Sequence, residues 1–82
     1  MATTEQVQRA VRRAPFTPFT IHIADGRSYL VKHPEQVAVA GGRELVFIGD
    51  DEGIHEIEMI NITEIHTPTP TAEDGKGKKK SD

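Results

Sequence analysis

The chain has no cysteine and no tryptophan, and aromatic side chains make up only 5% of its 82 residues. Without cysteine, neither a disulfide framework nor a thiolate metal site can form. No apolar run reaches the roughly 18 residues needed for a membrane-spanning helix, so a membrane partner is excluded from the reading. The opening stretch, MATTEQVQRA, lacks the charged-then-apolar layout of a secretory signal, and the expectation is a cytoplasmic protein. Catalytic signatures are missing as well. There is no Ser/His/Asp ordering, no glycine-rich phosphate cradle and no strand-then-helix nucleotide fingerprint. A non-enzymatic protein without cofactor is expected.

Size sets the next limit. A chain this short buries only about 60% of its unfolded surface, so self-association is a common remedy and a homo-oligomer is expected. The net charge of −3 is unevenly spread. Residues 1–14 set Arg9, Arg12 and Arg13 against Glu5, a balance of +2. Residues 15–66 carry nine acids against Arg27, Lys32 and Arg43, a balance of −6. Residues 67–82 set Lys76, Lys78, Lys79 and Lys80 against three acids, a balance of +1. An acidic body disfavours nucleic acid, whose affinity comes largely from phosphate neutralisation, unless the basic ends do the binding.

What is present is a strong hairpin signal. Phe19, Ile21 and Ile23 alternate with Thr20, His22 and Ala24, the period of a half-buried strand. Asp25-Gly26 follows at once, which predicts a two-residue primed turn with positive φ at its centre. A return strand over Arg27–Lys32 stops at His33-Pro34, where proline removes a ladder donor.

Upstream, residues 3–14 read as a helix. Thr3 or Thr4 caps it, and Val7, Ala10, Val11 and Ala14 form a narrow apolar stripe. Pro15 ends it. A helix of about 12 residues is unstable alone and must dock, over an open end of the sheet.

Downstream, Val37–Val39 is a short strand, Gly41-Gly42-Arg43 a turn and Glu44–Ile48 a further strand. Leu45, Val46, Phe47 and Ile48 are apolar without a break, which predicts a strand covered on both faces and a self-association surface. Phe19 and Phe47 are expected in the core, because aromatics bury the most area per residue. After the polar turn Gly49–Gly53, Ile54–Ile60 reads as a strand with His55, Ile57 and Met59 on one face. Asn61–Ile65 reads as a 3₁₀ turn or bent final strand with Ile62 and Ile65 inward. From Thr67 the composition is that of a disordered tail.

These short strands, at about ten-residue spacing, point to a small barrel or sandwich. The expected class is mainly β, α+β by count: an N-terminal helix, then a five-stranded antiparallel SH3-like or Sm-like barrel over 16–66. Residues 1–66 form the single domain and 67–82 the tail. An open five-stranded sheet with one packed helix is the alternative.

Pro15-Phe16-x-Pro18-Phe19, Asp25-Gly26-Arg27, Val31-x-His33-Pro34-Glu35 and Ile60-x-Ile62-x-x-Ile65 together resemble a group of small uncharacterised bacterial proteins. The likeness covers residues 15–66 and implies no activity. More loosely, the layout is similar to bacterial Sm-like RNA chaperones of the Hfq type, with their helix, bent sheet, short 3₁₀ turn and closing strand. Where those proteins carry an RNA-binding Lys-His segment, this chain has Met59-Ile60-Asn61-Ile62.

Candidate chemistry is sparse. His22, His33, His55 and His66 show no HxH, HxxxH or HExxH spacing, so they read as surface or turn residues and no metal is expected. Asp50-Asp51-Glu52 is dense in acid, and such turns keep strand edges from pairing wrongly. Nucleic-acid contact, if made, falls to Arg9, Arg12, Arg13, Lys76, Lys78, Lys79 and Lys80. The leading expectation is a self-associating module that binds a partner protein. An Sm-like RNA binder using the basic ends is second.

Overall fold

The structure is a computed structural model that describes residues 2–69. It contains one helix, α1 (Thr4–Arg12), and six strands: β1 (Phe19–Ile23), β2 (Ser28–Val31), β3 (Val37–Ala40), β4 (Leu45–Asp50), β5 (Gly53–Glu58) and β6 (Ile62–His66). Short 3₁₀ turns occupy Pro34–Gln36, Gly41–Arg43 and Met59–Asn61. All pairing is antiparallel, in two three-stranded sheets ordered β2-β1-β6 and β3-β4-β5.

This corrects the five-stranded barrel. There are six strands, and the sheets do not close on one another. The break falls at His33-Pro34-Glu35-Gln36. Pro34 has no N–H to donate, and the chain turns through a 3₁₀ segment instead of running from β2 into β3 as one bent strand. Gln36 stitches the gap. Its Oε1 accepts from the N–H of Lys32 (2.7 Å) and of His33 (2.9 Å), and its Nε2 donates to the Gly49 carbonyl (3.0 Å).

α1 is shorter than expected. Thr3 caps it, its Oγ1 accepting from the Gln6 N–H (3.2 Å) while Gln6 Oε1 accepts from the Thr3 N–H (2.9 Å). Arg13 already leaves helical geometry, and Ala14 is exposed and takes no part in the stripe. Val7 and Ala10 are buried, and Ala2 donates to the Ile62 carbonyl at 3.0 Å, tying the N-terminus to β6. Docking of the helix therefore rests on two to three small apolar contacts. Val7 alone contributes about 2 kcal/mol of burial.

The hairpin exists, but its turn differs. Ile23 pairs with Arg27 through a 2.9 Å bond, and Gly26 donates to the Ile23 carbonyl, leaving Ala24, Asp25 and Gly26 in a three-residue loop. Only Gly26 has positive φ, at +99°. A type I turn followed by one left-handed residue satisfies the strand twist as well as the two-residue primed turn does. Asp25 selects it by accepting from the Arg27 N–H (3.0 Å) and from Arg27 Nε (2.8 Å).

The core is wholly apolar. Phe19, Ile21 and Ile23 of β1 meet Val31, Val46, Ile48, Ile57, Met59 and Ile62, with Val7 above. Phe47 is not among them, which corrects the expectation. Along β4, Val46 and Ile48 are buried, while Leu45 and Phe47 are only half-buried on the opposite face, away from the core cluster. The unbroken Leu-Val-Phe-Ile run is thus an ordinary alternating strand with an apolar outer side. β5 ends at Glu58, not Ile60, because Met59 turns into the core through a 3₁₀ step that leaves Ile60 exposed.

The contrast between the two phenylalanines is testable. Phe19→Ala should cost about 3–5 kcal/mol in chemical unfolding, the range for a fully buried ring. Phe47→Ala should cost clearly less, about 1 kcal/mol, for a half-buried surface site. Gly26→Ala forces a side chain into the left-handed region and should cost about 1–2 kcal/mol.

Candidate functional site

Two grooves and one side-chain cluster carry what chemistry the described residues offer. The first groove, about 360 Å³, lies between α1 and β6. Arg9 lines it from α1, Arg13 from the residue just past the helix, and Thr63, Glu64 and Ile65 from the strand. The helical period explains the pairing of arginines, since positions four apart share a face. Arg12 falls outside this lining. Arg9 is also held loosely by Glu5 at 3.8 Å, an exposed pair four residues apart. Lys76, Lys78, Lys79 and Lys80 lie outside the described residues.

The second groove, about 640 Å³, opens where the tip of the β4–β5 hairpin passes β2 and the Pro34–Gln36 turn. Leu30 and Ile54 line it, together with Lys32, Glu35, Asp50 and Asp51. The acid density of Asp50 and Asp51 was visible in the sequence, but not the groove they line. Leu30 and Ile54 read as ordinary strand residues, and only the unclosed sheets bring them to one opening.

The cluster is Asp50, Glu52 and His55, each offering a donor atom within 4.8 Å of the others. A two-residue turn, Asp51-Glu52, folds β5 back on β4. Asp50 Oδ1 accepts from the Glu52 N–H (2.9 Å), and Asp50 Oδ2 lies 2.8 Å from His55 Nε2. The Glu52 amide, and then His55, hold the Asp50 carboxyl below its ordinary pKa. The trio is built on an exposed turn and offers two oxygens and one imidazole nitrogen, donors that would suit a borderline divalent cation. Sequence spacing missed it because Asp50 and His55 are apposed by a β-turn, not by a helical or period-two repeat. His22, His33 and His66 are not part of it.

His55 also packs on Tyr29, ring centroids 4.7 Å apart, which links β5 to β2 across the open side of the molecule. Tyr29 is further fixed by Arg27, whose guanidinium donates to its hydroxyl at 2.9 Å.

Leu45–Ile48, the expected self-association strand, occupies the middle of the second sheet. β3 and β5 pair with β4 on either side, so its backbone has no free edge. Among the described residues the outer strands are β2, β3, β5 and β6, and β6 is already bonded at its Ile62 carbonyl by the Ala2 N–H.

The Asp50 contacts give a pH signature. A carboxyl whose folded pKa is depressed stabilises the fold above its unfolded value, and that contribution fades as pH falls through the folded one. Asp50→Asn should therefore lower Tm at pH 7, with the gap to the parent protein closing as the pH drops through the acid range. A gap that stays constant with pH would show that the carboxylate charge is not what the turn uses.

No family model, no curated protein and no solved structure matches this chain, so its function has to be read from this geometry.

Proposed function

We propose that this protein is a non-enzymatic interaction module that self-associates through its open sheet edges and binds a partner protein. The reading treats the fold as a small SH3-like or Sm-like barrel that a second copy completes. The observation that carries it is the charge on two of the edges. β6 runs beside Arg9 and Arg13 in the first groove, where its own Glu64 leaves a balance of +1. The β5 edge presents the exposed acids Glu56 and Glu58. An unpaired edge is a template for a further strand, and opposite charges on two edges favour head-to-tail pairing over pairing of like edges. Such heterologous contacts close into a ring or run on as a filament.

Light scattering after size-exclusion chromatography should find a dimer or larger species. A strict monomer at high concentration would overturn the reading. Charge reversal tests the pairing directly. The Glu56→Lys/Glu58→Lys variant should weaken association by about tenfold or more, as like charges face each other. The Arg9→Glu/Arg13→Glu variant should do the same, and the two sets combined should restore assembly.

A second reading has one observation in its favour. Arg9 and Arg13 share a groove, and a ring of copies would repeat that basic site as an Sm-like RNA-binding surface. Binding of single-stranded RNA would then be strongest at low salt and fall steeply as salt rises. Absence of binding at about 50 mM salt, where electrostatic attraction is least screened, would end it.

A further inference from the structure

β2 is the outermost strand of its sheet. Because Ile23 bonds to Arg27, the alternation of an antiparallel ladder makes Ile21–Tyr29 and Phe19–Val31 the next bonded pairs. The N–H and C=O of Ser28 and Leu30 therefore face away from β1. The edge stops there, since the Lys32 N–H is already taken by Gln36 Oε1 at 2.7 Å.

This short edge borders the second groove. Leu30 is 53% exposed and Ile54 77% exposed, and both line it, one from β2 and one from β5. Exposed aliphatic side chains scattered singly need no explanation, but two lining one groove form a small apolar patch on which a partner's apolar side chains can rest. The charged lining is acidic: Glu35, Asp50 and Asp51 against Lys32. The walls are held in place by the Tyr29–His55 ring contact, the His55–Asp50 bond and the Gln36–Gly49 bond. A site held this way loses little entropy on binding.

We propose that this groove takes a short extended segment of a partner protein, in which apolar residues alternate with Lys or Arg, and that the segment adds to the edge of β2. An extended chain sends alternate side chains to opposite sides. Its apolar residues then lie between Leu30 and Ile54, and its cations meet Asp50, Asp51 and Glu35. Main-chain bonds to Ser28 and Leu30 give affinity, and the acidic lining gives selectivity. This edge is separate from the β5 and β6 edges of the self-association reading, so either can fail without the other.

The test uses the full chain, ¹⁵N-labelled, titrated with acetyl-Val-Lys-Val-Lys-Val-amide. Saturable shifts should centre on Leu30 and Ile54, and the Leu30 amide should exchange more slowly with solvent. The glutamate counterpart, acetyl-Val-Glu-Val-Glu-Val-amide, should bind at least about tenfold more weakly, and so should the lysine peptide N-methylated at its central valine. Leu30→Ser and Asp51→Lys, both at exposed positions, should each weaken binding by about tenfold while leaving the unfolding curve unchanged. Equal binding of the glutamate or N-methylated peptide would overturn the proposal, as would shifts that map elsewhere or none at millimolar peptide. Shifts at Leu30 and Ile54 that track protein concentration without peptide would make a second copy the occupant and overturn it too.

Discussion

Everything in this fold leans on β1. It is the central strand of its sheet, bonded to β2 on one side and β6 on the other. Its three inward side chains, Phe19, Ile21 and Ile23, are all buried. A five-residue strand paired on both sides, with one bulge against β6 between His22 and Ile23, and with every second residue in the core has one stable register. A slip by one residue would send the apolar set to solvent. The first and last described segments are gathered onto the same strand. β6 pairs with it, and Ala2 bonds to β6 at Ile62.

The second sheet is less constrained. β4 carries it, with Val46 and Ile48 facing β1's side chains in the common core. Among the described residues no ladder joins the two sheets, so their relation depends on shared apolar contact, on the Tyr29–His55 ring pair and on the Gln36 side chain, which ties Lys32 and His33 just past β2 to Gly49 of β4. This arrangement leaves four strand edges and two grooves. The proposed functions follow from that openness. A closed barrel would have consumed the edges, whereas an open pair of sheets keeps backbone groups that another chain can satisfy.

Charge is arranged to manage these edges. Glu56 and Glu58 lie exposed on β5, and Arg9 and Arg13 stand beside Glu64 of β6. The hairpin tip holds Asp50, Asp51 and Glu52 in solvent, where Asp50 serves the turn by accepting from Glu52 and meeting His55. Acidic side chains therefore do two separate things here: they shape a turn and set the sign of a surface.

Period-two alternation was enough to find β1, the position of the first hairpin and the inward side of Ile57, while Met59 reaches the core through a 3₁₀ step that alternation did not show. The Thr3 cap was likewise readable, since capping is local. Local reasoning failed where the backbone had equivalent solutions. The loop at Ala24–Gly26 chose three residues over two. It failed again where burial depends on partners distant in sequence. Phe47 is as apolar as Phe19, yet the parity of β4 turns it outward. Sequence by itself determined β1 with its inner face and the place of the first hairpin, since those follow from side-chain spacing and turn chemistry. Only the tertiary structure decided that the sheets stay open and that Leu30, Ile54, Asp50 and His55 gather at one opening, because such proximity comes from how distant segments cross in space.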